Sequence, residues 1–103
     1  MSQWVTLCAA GDVPAPGTVK EAQAGEQMIC LANVAGKLHA LSNVCPHRGA
    51  PLGQGWIESG KLLCPWHAWT FDVETGRADY PEDEKIAVYP LRVAGDVVEV
   101  ELD

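Results

Sequence analysis

Seven prolines, Pro14, Pro16, Pro46, Pro51, Pro65, Pro81 and Pro90, are spread along a chain of 103 residues. A proline inside a helix removes a backbone hydrogen bond and clashes with the preceding turn. Spaced this evenly, the seven leave no room for long helices. No segment repeats apolar residues at i, i+3, i+4 and i+7 over a helical length either. What remains is short apolar runs bounded by Gly and Pro, the pattern of strands. Residues 5–7 and 19–21 are the first two. Residues 28–34 and 38–42 flank Ala35-Gly36-Lys37, which reads as a hairpin turn. Near the C-terminus a strand, Ala94-Gly95-Asp96 and a second strand repeat the arrangement. In the second strand Val98, Val100 and Leu102 can face a core while Glu99 and Glu101 face water. Residues 72–76, DVETG, form another turn signal. The predicted architecture is all-β: an antiparallel β-sandwich or partly open barrel, one domain over residues 1–103.

The middle of the chain breaks this pattern. Between residues 43 and 72 lie Gly49, Gly53, Gly55 and Gly60, three of the seven prolines and three of the four tryptophans. The segment reads as an inserted loop region whose shape is set by something other than its own core. It also holds two compact boxes, Cys45-Pro46-His47 and, sixteen residues later, Cys64-Pro65-Trp66-His67. Each box can project one thiolate and one imidazole toward a common point. Tetrahedral Cys₂His₂ zinc suits these ligand types, but zinc fingers usually group Cys with Cys and His with His. A binuclear iron–sulfur cluster with two cysteines on one iron and two histidines on the other suits the mixed loops, since each loop then reaches both irons.

Composition narrows the partners. The chain has a formal charge of −7, a pI of about 4.7 and 48 % apolar residues. A domain of this size buries roughly 60–70 % of its unfolded surface, enough for a compact core. The negative balance argues against nucleic acid and anionic membrane as partners and favours proteins with a basic docking face. The first residues carry no basic charge and no sustained apolar run, and no stretch approaches the length of a membrane span, so a cytoplasmic protein is expected. In that compartment cysteines are reduced or metal-bound.

The two boxes resemble those of Rieske [2Fe–2S] proteins, and specifically the soluble Rieske-type ferredoxins. The resemblance rests directly on about thirty residues, and the strand pattern on both sides agrees with that family's β fold. It implies one Rieske-type [2Fe–2S] cluster, with Cys45 and Cys64 on the inner iron and His47 and His67 on an outer iron near the surface. With neutral histidines the oxidised cluster is formally uncharged, so it accepts an electron more readily than a four-cysteine cluster. High-potential members of the family carry an extra cysteine in each box, joined as a disulfide, and a serine and a tyrosine that bond to the cluster sulfurs. The matching positions here are Ala50, Trp66, Trp69 and Phe71, which supply neither. A potential at the low end of the Rieske range is therefore expected. Leu52 and Trp66 are expected to screen the cluster from water, and Pro46 and Pro65 to stiffen its loops.

The remaining chemical side chains carry less. Cys8 and Cys30 lie in apolar strands and read as buried, inert thiols. His39 reads as a strand histidine on a polar face. The acidic run at residues 80–85 and Arg48 are solvated groups or parts of a docking surface. No nucleophile–base pair, phosphate loop or dinucleotide fingerprint is present, and with one histidine left over no mononuclear oxygen-activating iron site can be assembled. The chain is thus expected to hold an electron and to catalyse nothing itself. The resemblance implies a monomeric carrier between a flavin NAD(P)H reductase and the terminal oxygenase of an aromatic-ring dioxygenase or related system. The alternatives are the small subunit of a cytoplasmic NAD(P)H nitrite reductase, which shares the fold, and a zinc-binding interaction module.

Overall fold

The computed structural model describes residues 3–46, 49–66, 69–79 and 84–102. Runs of six to eight residues bounded by turn signals produce the first four strands, β1 (Gln3–Ala9), β2 (Val19–Ala24), β3 (Gln27–Val34) and β4 (Lys37–Ser42). Three short strands follow, β5 (Trp56–Glu58), β6 (Lys61–Leu63) and β7 (Thr70–Asp72). The chain ends in β8 (Val88–Tyr89), β9 (Leu91–Ala94) and β10 (Val97–Leu102). Single 3₁₀ turns occupy Ala10–Asp12 and Leu52–Gln54, and no α-helix occurs among the described residues.

The strands form three antiparallel sheets, ordered β1-β10-β9, β2-β3-β4-β8 and β5-β6-β7. The middle sheet organises the molecule. Residues 29–33 of β3 are buried without a break, which requires cover on both faces of the sheet. Ile29 and Leu31 point to one side and pack with Leu7, Ala22, Ala40, Val98 and Val100; this is the lower core. Cys30 and Ala32 point to the other side and pack with Leu41, Cys45, Leu52, Leu62, Cys64 and Phe71; this is the upper core. The C-terminal strand alternates as its sequence predicts, with Val98 and Val100 fully buried.

The segment expected to be an inserted loop region contains regular structure of its own. Sheet β5-β6-β7 lies inside it, and Leu52, Leu62 and Phe71 from it are fully buried. Three-residue strands are too short to show alternation, so their pattern reads as loop. His39, expected on a polar face, stands opposite the buried Ala32 and is partly buried in a cleft with Lys37, Asp72 and Glu74. Burial, and secondarily Lys37, holds its imidazole below the usual histidine range. Cys30 is fully buried and its thiol is pushed up to about 12 by burial, as an inert thiol should be; Cys8 is only partly buried, at a bulge in β1.

Candidate metal centre

Two loops carry the cysteines, and backbone bonds close them in the same way. In the first, Val44 bridges to Pro51, and the N–H of Cys45 donates to the carbonyl of Ala50 at 3.0 Å. In the second, which joins β6 to β7, Leu63 pairs with Thr70 and the N–H of Cys64 donates to the carbonyl of Trp69 at 2.9 Å. Each cysteine is therefore the first residue of a six-residue loop whose ends are fixed by a strand-like pair. The loops also touch at their bases. A Cβ on Gly55, just after the first loop, would overlap the carbonyl of Leu63, the residue before Cys64, so glycine is required there.

This framework brings the two thiols together inside the upper core. Cys45 and Cys64 are each 1 % exposed and share one core, close enough for Cys45 to act on the Cys64 thiol. Burial pushes the Cys64 thiol up to about 11; the backbone N–H of Trp66, which bonds to its sulfur, opposes that shift, and Cys45 adds to it. Such a pair is costly as thiolates in an apolar core unless a cation compensates. A pair of buried thiols with a backbone donor on one sulfur fits the cysteine-ligated half of an iron–sulfur cluster. His47, Arg48 and His67 lie outside the described residues, as do residues 80–83 of the acidic run. Among the described residues no set of three or more His, Cys, Asp or Glu side chains could hold a metal ion, so Cys8, Cys30 and His39 build no second centre.

The family model for the Rieske [2Fe-2S] domain matches residues 3–90. The chain belongs to the Rieske [2Fe–2S] domain family. It accordingly takes one Rieske-type [2Fe–2S] cluster. It is 35 % identical over 101 residues to the ferredoxin component of the 2,4-dinitrotoluene dioxygenase system of Burkholderia sp. (strain RASC), covering 97 % of this chain and 96 % of that one. A chain from a complex of reduced oxygenase and oxidized ferredoxin in carbazole 1,9a-dioxygenase superimposes with a TM-score of 0.80 at 28 % identity, over 94 % of this chain and 91 % of that one. A chain described as a candidate NADH-dependent nitrite reductase small subunit from Mycobacterium tuberculosis gives a TM-score of 0.87 at 23 % identity, over 100 % of this chain and 97 % of that one, and shares the fold alone. Other curated relatives are much longer: the chain spans only 16 % of the length of apoptosis-inducing factor 3 of Mus musculus, at 31 % identity over 92 % of this chain.

Around Cys45 and Cys64 the other box positions divide. Ala50, Leu52 and Phe71 are fully buried in the core that holds both thiols. Trp66, expected as a screen, is instead 48 % exposed, and with Val44 (57 % exposed) and Pro46 it gives the loops an apolar outer surface. Leu52 is fully buried in the core that holds both thiols, and the indole packed against that core is the partly buried Trp69 rather than Trp66.

Sequence reasoning missed the polar network beneath the first loop. The carboxylate of Glu21 on β2 accepts from Asn43 Nδ2 at 2.7 Å and from Gln54 Nε2 at 2.9 Å. Asn43 Oδ1 in turn accepts from the N–H of Gly53 at 2.7 Å, and its carbonyl from the N–H of Leu52 at 2.8 Å. Nothing in the spacing links Glu21 to a box more than twenty residues away; an asparagine just before the first box was the one local signal.

Proposed function

We propose that the chain is a soluble, cytoplasmic and monomeric one-electron carrier, the ferredoxin component of an oxygenase system. A flavin NAD(P)H reductase reduces it and a terminal oxygenase oxidises it. The observation that carries this reading is the buried pair Cys45 and Cys64 on two similarly closed loops, in a chain that aligns along nearly its whole length with a named ferredoxin component. In this reading Cys45 and Cys64 hold the inner iron, His47 and His67 hold the outer iron, and residues 43–72 form the cluster-binding part of a single domain over 1–103.

The cluster supplies one-electron redox chemistry when bound. The chain's own residues tune it. Ala50 and Phe71, buried with both thiols, bring no sulfur and no hydroxyl to the site. Fewer donors to the cluster sulfurs leave the extra negative charge of the reduced state less stabilised, which places the midpoint at roughly −150 to 0 mV. The formal charge of −7 favours basic docking faces, and the exposed Val44, Pro46 and Trp66 give an apolar contact beside the cluster loops.

Iron and acid-labile sulfide analysis combined with a redox titration tests the reading. The expected result is one [2Fe–2S] cluster per chain, a red-brown protein and an EPR signal on reduction. Zinc without sulfide overturns the cluster, and a midpoint above about +150 mV overturns the low-potential assignment. Electron transfer to a partner oxygenase should slow as salt rises; a flat salt dependence removes electrostatic steering from the account.

A further inference from the structure

We propose that Glu21, remote in sequence from both boxes, is a positioning residue that fastens the first cluster loop to the middle sheet. The inference rests on the cluster-binding reading above.

The geometry is that of a two-point clamp. One carboxylate oxygen takes the side chain of Asn43, just before the Val44–Pro51 pair that closes the loop, and the other takes that of Gln54, three residues after the pair. Asn43 is 5 % exposed and passes the hold on, through its own side-chain oxygen to the Gly53 N–H and through its carbonyl to the Leu52 N–H. A buried side-chain amide left without its acceptor is costly, so Asn43 and Glu21 keep each other in place. The fit is close: a Cβ on Gly53 would overlap Glu21 and crowd Asn43 Oδ1. Hydrogen bonding from Gln54 and Asn43 holds the Glu21 carboxyl below the usual glutamate range, so it is ionised at neutral pH.

The consequence concerns the ligands of the loop. The backbone of the first loop has two ends, and the clamp grips both. Val44 and Cys45 follow Asn43 directly, so a shift of the stem moves the Cys45 sulfur relative to Cys64 on the other loop, while Asn43 and Gln54, the donors to the Glu21 carboxylate, both flank the first loop. Glu21 therefore sets the distance between the loops without contacting either cysteine.

Two substitutions separate positioning from charge. Glu21→Ala removes both acceptors. Glu21→Gln keeps one oxygen for Asn43, and Gln54 can turn its amide to accept from the new side-chain N–H₂, so the clamp survives without its charge. Cluster loss is followed by the decay of visible absorption in the presence of a chelator, and amide hydrogen exchange is measured by peptide mass in the holoprotein. In Glu21→Ala we expect cluster loss and exchange of the peptide spanning residues 49–56 both to accelerate about tenfold, the size of one charge-assisted hydrogen bond in a partly exposed setting. The peptide spanning residues 96–102, in the lower core, should not change. Glu21→Gln should stay within about twofold of the wild type. If Glu21→Ala fails to fold, Gln54→Ala, which opens one side of the clamp, should show the same pattern with a smaller acceleration. Equal behaviour of Ala and Gln variants, or acceleration spread evenly over both peptides, overturns the proposal. A wild-type protein without iron and sulfide would instead refute the cluster reading, and the exchange data would still decide whether Glu21 holds the loop.

Discussion

The two cores lie on opposite faces of the middle sheet and are built on different principles. The lower core is closed by long strands: β1 pairs with β10, and β2 with β3, over six positions each, and the interior is filled by Leu7, Ile29, Leu31, Val98 and Val100. The upper core is closed by three-residue strands, two loops and the Glu21–Asn43–Gly53 chain of hydrogen bonds, and three of its buried side chains, Cys30, Cys45 and Cys64, are thiols. The lower core stands on burial and ladder bonds alone. The upper core adds to these a cross-link that forms only when metal binds, and binding free energy at such sites is folding free energy. β3 makes the first region a base for the second.

The sharpest way to break this comparison is Cys64→Ser. We expect complete loss of the cluster, read as loss of visible colour and of the reduced-state EPR signal, because a buried hydroxyl cannot replace the thiolate as a comparable ligand. The far-UV spectrum of the lower sheets should persist. Unfolding of the whole chain on this substitution would mean the lower core does not stand alone. The converse test is Ile29→Ala in the lower core, where a fully buried side chain is cut back. Loss of a buried aliphatic side chain costs about 2–5 kcal/mol. Denaturant unfolding should show that loss, and the cluster midpoint should stay where it was.

A third test uses pH. Burial raises the Cys64 thiol to about 11, and in the proposed reading iron takes its thiolate, so loading the apoprotein should release a proton from that sulfur. The sign follows: at neutral pH the thiol is protonated, and raising the pH increases the fraction ready to bind. With one proton released from that sulfur well below its pKa, reconstitution with iron and sulfide should become about tenfold more favourable per pH unit, about a hundredfold between about pH 6.5 and 8.5. A pH-independent loading would show that the Cys64 thiol is already ionised and that burial does not govern it.

How well each region could be read from its residues follows the same division. The strands of the lower core were legible because their burial alternates: Val98 and Val100 are inside, and Glu99 bonds to Arg92 outside. The β3–β4 hairpin was legible from Ala35-Gly36 between two apolar runs, and Val34 indeed pairs with Lys37. The cysteines of the upper region were legible from spacing, since Cys45 and Cys64 head the two boxes and meet in one core. Its sheet was not, because Trp56–Glu58 and Lys61–Leu63 are too short to reveal a period. Nor was its fastening: Glu21 acts on Asn43 through space, and the exposure of Trp66 depends on where a loop ends. Local patterns survive in a sequence, and long-range hydrogen bonds do not.

A smaller effect tests what sets the potential. Phe71 is fully buried with both cysteines, at the position where high-potential relatives of this family carry a tyrosine. Phe71→Tyr adds one hydroxyl to the core. A hydrogen bond from it to a cluster sulfur would stabilise the reduced state, and one bond to a charged group corresponds to a rise on the order of 50–100 mV. Redox titration of the variant measures it. An unchanged or lower midpoint would mean that the missing hydroxyl is not what keeps the potential low.

The smallest effect is expected on the outer face of the lower region, on a sheet that contributes no residue to the cysteines' core. The Arg92 guanidinium stacks over the Trp4 ring at 4.1 Å and bonds to Glu99 at 2.8 Å. It thus joins the outer surfaces of β9, β1 and β10. The Arg92 side chain is 49 % exposed, so solvent screens both contacts. Arg92→Ala should cost about 0.5–1 kcal/mol in denaturant unfolding, most of it from the lost cation–π contact. Raising the salt should close little of that gap, because ring stacking and buried methylene surface are less sensitive to screening than the Glu99 pair. The cluster midpoint and its rate of loss should not move. If either did, the sheet β1-β10-β9 would be coupled to the cysteine loops through β3, and the base could no longer be treated as mechanically separate from the site it supports.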